Sequence, residues 1–151
     1  MWCCLSSRVP IAYIDIRVFV HATEDVDKVL TAVRNIFPQE MISTVSFKHT
    51  SLTGHHGNPI MLFEARVKDK NAQAVFEKLA FGLSILDKEI LSNEIMQHLD
   101  NGNLYIRIDK QSAYSNELKL SKVDPIHFRI HFKKPIEEEI VGICKKFGLL
   151  P

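Results

Sequence analysis

Ile126-His127-Phe128-Arg129-Ile130-His131-Phe132 alternates apolar and basic residues without a break. Successive side chains of an extended strand point to opposite faces, so Ile126, Phe128, Ile130 and Phe132 share one side and His127, Arg129 and His131 the other. The first side requires a core behind it. The second offers preformed cationic and imidazole donors to water, a phosphate backbone or a base.

Working outward, the same two-sidedness recurs. Leu104, Ile106 and Ile108 alternate with Tyr105, Arg107 and Asp109 after a turn at Asp100-Asn101-Gly102-Asn103. Residues 11 to 21 alternate again, with Ala12, Ile14, Ile16, Val18 and Val20 on one side and Tyr13, Asp15, Arg17 and Phe19 on the other. Residues 43 to 50, 59 to 68 and 117 to 120 also read as extended, the second through Met61, Phe63, Ala65 and Val67. Between these lie helical periodicities. The first, about 24 to 36, follows Thr23 as cap with Glu24 and Asp25 at the positive helix start. A second follows Asn71 through Ala72, Val75, Phe76 and Leu79. A third runs from Ile85 to Leu99 behind a Ser84/Asp87 capping pair, and a fourth starts at Pro135 and ends at Gly148.

Amphipathic strands interleaved with amphipathic helices bury both apolar sides most simply when helices cover one face of a largely antiparallel sheet. The spacing therefore predicts an α+β fold of that kind, with Tyr13, Asp15, Arg17, Tyr105, Arg107, His127, Arg129 and His131 collected on the uncovered face. A one-residue slip would reverse the assignment, so strand parity decides it.

Composition fits one globular domain. The chain has 151 residues, 46% hydrophobic and 25% charged, with a net charge of +1. A short tail, residues 1 to 10, is expected ahead of a domain over 11 to 151. Near-neutrality excludes a general polyanion binder, so nucleic-acid binding must come from a local patch. Such a bias lies between Tyr105 and Lys134, where Arg107, Lys110, Lys119, Lys122, Arg129, Lys133 and Lys134 outnumber Asp109, Glu117 and Asp124. Cys3, Cys4 and Cys144 make neither a disulfide framework nor a zinc spacing. With no signal-peptide pattern and no membrane-length apolar run, the expectation is a soluble cytoplasmic protein that needs no membrane, cofactor or metal.

The densest local signal is Gly54-His55-His56-Gly57-Asn58-Pro59. Its glycines permit positive backbone angles and close approach, and Asn58 before Pro59 favours a turn into the next strand. Turn stabilisation, a metal site, nucleophilic or general-base chemistry, for which no recognised elbow surrounds Ser51 or Cys144, and an RNA contact through imidazole stacking and glycine amides are the readings. The metal reading lacks a cysteine or carboxylate at ligand spacing. Lys110 and Gln111 fall at a strand exit, where rigid scaffolds commonly present function. Arg107 has two acidic partners to choose from, Asp109 on its own strand and Asp15 across the sheet.

Three phrases, GHHGNPI at 54–60, NLYIRIDKQSA at 103–113 and VDPIHFRIHFKK at 123–134, resemble in that order the archaeal RNA-binding proteins predicted to accompany the exosome. That family is similar in fold to the 5S-rRNA-binding ribosomal protein. The resemblance implies helices on one side of a curved sheet and a non-catalytic RNA-binding role in RNA processing or ribosome biogenesis, with exosome subunits as further partners. It carries over to Gly54, His55, Gly57, Asn58, Pro59, Arg107, Asp109, Lys110, Gln111, Asp124 and Pro125. The chain departs from it at Asn116, which precedes Glu117 where the family often has Gly, and at the second histidine of GHHG, where an aromatic is usual.

Together these residues predict binding of single-stranded or structured RNA by Gly54, His55, His56, Gly57, Asn58, Tyr105, Arg107, Lys110, Gln111, Lys119, Lys122, His127, Arg129 and His131, with Tyr105 as a stacking ring. Four phosphate contacts would give a log–log salt slope of about −2.8 on single strands. Protonation of His55, His127 or His131 toward pH 6 would strengthen binding. The alternatives are a protein-interaction or homodimer surface on the same face or on the last helix, and, ranked last, a hydrolase using His55, His56 and Asp109.

Overall fold

The computed structural model describes residues 9–54 and 57–151, so the contacts expected of His55 and His56 lie outside the described residues. Six strands, β1 (Ile11–His21), β2 (Lys48–Thr53), β3 (Pro59–Lys68), β4 (Leu99–Asp100), β5 (Asn103–Ile108) and β6 (Ile126–Phe132), form one antiparallel, unclosed sheet in the order β2-β3-β1-β6-β5-β4. Helices α1 (Val26–Arg34), α2 (Asp69–Gly82), α3 (Ile85–Asn93), α4 (Ile95–His98), α5 (Lys110–Tyr114) and α6 (Glu137–Lys146) complete an α+β architecture. No helix among the described residues is long and apolar enough to cross a membrane.

The alternation in β6 holds residue by residue: Ile126, Phe128, Ile130 and Phe132 are buried, and His127, Arg129 and His131 are half-exposed. Its apolar side joins Ile14, Ile16, Val18 and Val20 of β1, Phe63, Ala65 and Val67 of β3, and Leu104, Ile106 and Ile108 of β5. Onto this surface α2 lays Ala72, Val75, Phe76 and Leu79, and α6 lays Ile140 and Cys144. Phe76 meets Phe132 and Phe147 edge-on, with centroids 6.0 and 5.6 Å away. Each such ring contributes its burial, about 2–3 kcal/mol, plus the edge-to-face preference. No polar side chain among the described residues is fully buried, so the charges all lie at the surface or the open face.

Several boundaries differ from expectation, each for a local reason. The pairing of β1 with β6 shifts register between Ile11 and Tyr13, and this irregularity leaves Ile11, not Ala12, buried. The first helix is capped by Asp25, whose carboxylate accepts from Asp27 N and Lys28 N, rather than by Thr23. A 3-10 turn at Gln39–Thr44 delays the next strand, so β2 occupies 48–53 instead of 43–50. Helix α2 starts at Asp69, ahead of Asn71. The periodicity from Ile85 to Leu99 breaks at Glu94, because α4 ends where Leu99 and Asp100 pair with β5. Ser84 Oγ accepts from Asp87 N at 3.1 Å as expected of a cap, but the Asp87 carboxylate turns away to accept from Leu120 N. Pro135 stands outside α6, whose cap position is Ile136.

Candidate nucleic-acid interface

The face without helices is organised in rows, because paired residues on neighbouring strands stand side by side. One row runs Lys48, Glu64, Arg17, His127, Arg107 across β2, β3, β1, β6 and β5. The next runs Arg66, Asp15, Arg129, Tyr105, and a third Lys68, Tyr13, His131, Asn103. The first two rows, with Ser46, line an open concavity of about 870 Å³. Five cations face two carboxylates there, so this face concentrates positive charge that the whole chain lacks.

Asp15 occupies the centre. Arg66 grips it with two parallel donors, Nε to Oδ1 at 2.6 Å and Nη2 to Oδ2 at 2.9 Å, and Arg129 Nη2 reaches Oδ2 at 2.5 Å. Burial pushes the Asp15 carboxyl up, but these two guanidiniums outweigh it and hold the pKa below the ordinary 3.8. Arg129 therefore sits in the predicted place with one donor committed to Asp15, and its Nε is buried without a partner. The Arg66 guanidinium also covers the Tyr13 ring at 4.0 Å, while His131 stacks on Tyr13 at 4.7 Å and donates from Nδ1 to Asn103 Oδ1 at 2.7 Å. Tyr13 and His131 are thus already stacked on each other.

Arg107 chooses neither acidic partner and makes no ion pair among the described residues. Asp109 instead caps α5, accepting from Ser112 N at 2.9 Å and Ser112 Oγ at 2.8 Å. Arg17 makes no ion pair among the described residues, and its guanidinium carbon lies 5.9 Å from the centre of the Phe19 ring. His127 lies between Arg17 and Arg107. Burial first, and then the positive charges of those two arginines, push its pKa below the ordinary 6.5; Asp124 opposes and Lys110 reinforces the shift. The expected gain of charge on His127 near pH 6 is therefore displaced to lower pH.

Lys110 leaves the group of candidate contacts. Its side chain is 11% exposed, and the ammonium bridges Glu24 Oε1 at 3.1 Å, Asp124 Oδ2 at 2.8 Å and the Phe19 carbonyl at 2.5 Å. With His21 Nε2 donating to Asp124 Oδ1 at 3.0 Å, it ties the end of β1 to the approach to β6. Ligand atoms of His21, Glu24 and Asp124 come within 4.8 Å of one another, but the Lys110 ammonium already supplies the cation at that spot. Lys119 and Lys122 lie off the concavity and pair loosely with Glu117 and Glu94. Gln111 is exposed on α5. Gly54 N donates to the Asn58 carbonyl at 2.7 Å, and Gly57 has φ +74°, as a tight hairpin turn requires. That turn borders His21 and Thr23 at the end of β1, away from the arginine rows.

The structure thus brings together Tyr105, Arg107, His127, Arg129 and His131, and separates from them Gly54, Gly57, Asn58, Lys110, Gln111, Lys119 and Lys122. It adds Arg66, Lys48 and Lys68. Alternation in β3 carries the signal for two of these, since Phe63, Ala65 and Val67 facing inward require Arg66 and Lys68 to face out. Lys48 carries the same kind of signal, since Val45 and Phe47 pack inward just ahead of it.

A helix-backed antiparallel sheet with a cation-bearing open face defines a class of α+β binding scaffold. A model of the family described as RNA binding matches residues 13–132, and the chain belongs to that family. RNA-binding protein PAB1135 of Pyrococcus abyssi is 41% identical over 133 residues, covering 85% of this chain and 86% of that protein. Among solved structures, protein AF2318 from Archaeglobus fulgidus is 29% identical with a TM-score of 0.75, covering 91% of this chain and 99% of that one. Mth689, a DUF54 protein from Methanothermobacter thermautotrophicus, is likewise 29% identical, with a TM-score of 0.74 and 91% and 98% coverage.

Proposed function

We propose that this chain is a non-catalytic cytoplasmic factor that binds RNA on the open face of its sheet and serves RNA processing beside the exosome or ribosome biogenesis, on a fold akin to the 5S-rRNA-binding ribosomal protein. The observation that carries the reading is the row of three cations, Lys48, Arg17 and Arg107, that make no ion pair among the described residues and stand on the face the helices leave uncovered. Unpaired cations on a rigid sheet meet phosphate without first breaking an internal salt bridge. The test is fluorescence anisotropy of labelled RNA with the full chain and with the double variant Arg17→Ala/Arg107→Ala. A loss of tenfold or more with unchanged circular dichroism supports the face; unchanged affinity overturns it. Affinity purification from cells, with RNA and protein identified together, tests the exosome and ribosome assignments.

A second reading, a protein-interaction or dimer surface, is favoured by one observation. On the helix side Phe81 is 91% exposed, with Ile85 and Leu86 exposed beside it. Sedimentation of the parent and of Phe81→Ser tests that surface: a dimer lost in the variant supports it and a monomeric parent overturns it, while RNA titration reads the sheet face independently, since a contact on the helix side leaves Arg17 and Arg107 open.

A further inference from the structure

Resting on the reading of the open face as an RNA site, we infer that it takes RNA as an unpaired strand laid across the β-strands, with phosphates along Lys48, Arg17 and Arg107 and a base stacked on Tyr105. The three cations stand on alternate strands of one register row, so neighbours are about 10 Å apart and the ends about 19 Å. Such a row follows a backbone running perpendicular to the strands. Glu64 stands between Lys48 and Arg17 in the row and repels phosphate there, so contacts fall at the cations rather than continuously.

Two residues along each strand, about 7 Å away on the same face, lies the Arg66, Asp15, Arg129, Tyr105 row. This second tier offers flat groups rather than free charge. Asp15 holds both guanidiniums in place, and their charges are partly spent on it. Among the described residues, the phenyl and phenol rings on the open face are those of Tyr13, Phe19 and Tyr105. Tyr13 is covered by Arg66 and His131, and Phe19 is faced by Arg17 and by the edge of His127. Tyr105 is the one without a stacking partner among the described residues, and it stands beside Arg129 and one row from Arg107.

A phosphate row flanked by a stacking tier matches a nucleotide whose base is splayed from its backbone. Unpaired bases stack on aromatic rings and guanidinium planes, whereas a duplex keeps its bases inside and could use only the first row. The two substrates are therefore distinguished by Tyr105, which helps one and not the other.

The experiment titrates the full chain into a labelled, unstructured 12-nucleotide RNA and into a blunt 12-base-pair RNA duplex, using the parent and the variants Tyr105→Ala, Tyr105→Phe and Arg107→Ala. Tighter binding of the single strand by about tenfold is expected, with Arg107→Ala weakening it. Tyr105→Ala should weaken it about fivefold or more, and Tyr105→Phe should preserve it, since the ring rather than the hydroxyl is used. Equal or tighter duplex binding, or single-strand affinity indifferent to Tyr105→Ala, overturns this inference and leaves RNA binding by the face standing. Binding of neither RNA brings down the reading on which it rests.

Discussion

Lys110 shows how a cation at a strand exit can serve the fold instead of a ligand. Replacing it with Ala leaves the Glu24 and Asp124 carboxylates facing each other without their shared ammonium and frees the Phe19 carbonyl. Loss of about 2 kcal/mol is expected, read as a lower urea midpoint, with RNA affinity per folded molecule unchanged. The acid side of the same cluster has a definite sign. Burial raises the Asp124 pKa, but Lys110 and His21 outweigh it and hold it below 3.8. Its contribution is therefore present above the ordinary value and lost as pH falls through the depressed one. The parent's midpoint should decline more steeply than that of Lys110→Ala in that window. His127 is the converse case for charge. An NMR titration should find it less than half-protonated at pH 6.5, where an ordinary histidine is half-protonated, and Arg107→Ala should move its pKa upward. The sequence made the side of the sheet for His127 and Arg107 legible through period-two alternation. It could not disclose that Asp15 would select Arg66 and Arg129, because that choice is made across strands distant in the chain.

Turns and caps decide the elements. Asn101 and Gly102 both have positive φ, +50° and +83°, the geometry that joins β4 to β5 in a two-residue hairpin. A Cβ at Gly102 would lie 3.0 Å from Pro135 Cβ and 3.2 Å from Pro135 Cα. Gly102→Ala should therefore cost about 1–3 kcal/mol in chemical denaturation, combining backbone strain with a clash against the chain leaving β6. Asn-Gly announced this turn in the sequence, as Ser84 and Asp87 announced the start of α3. The boundaries that escaped were those governed by tertiary partners. Nothing local to Ala12 marks the register shift against β6, and the break at Glu94 follows from Leu99 joining a sheet rather than a helix. The short helix α5 escaped because its cap, Asp109, reads equally well as the end of an alternating strand.

Across the whole molecule, charge and apolar surface are sorted onto opposite sides of one sheet. Near-neutral composition hides this, and only strand order shows that Lys48, Arg17 and Arg107 line up. With three such contacts in place of the expected four, the log–log dependence of RNA affinity on salt should have a slope of about −2 on single strands. Titrations at several salt concentrations check it, and Arg107→Ala should flatten the slope by about 0.7.

The last helix also carries a thiol that chemistry can use as a clock. Burial pushes Cys144 up to about 12, so at neutral pH it is a protonated group sealed among hydrocarbon. An alkylating reagent should reach it only during moments when α6 swings off the sheet. Mass-resolved labelling at position 144 would then time that breathing motion, and bound RNA on the far side should slow it only if the two faces are mechanically linked.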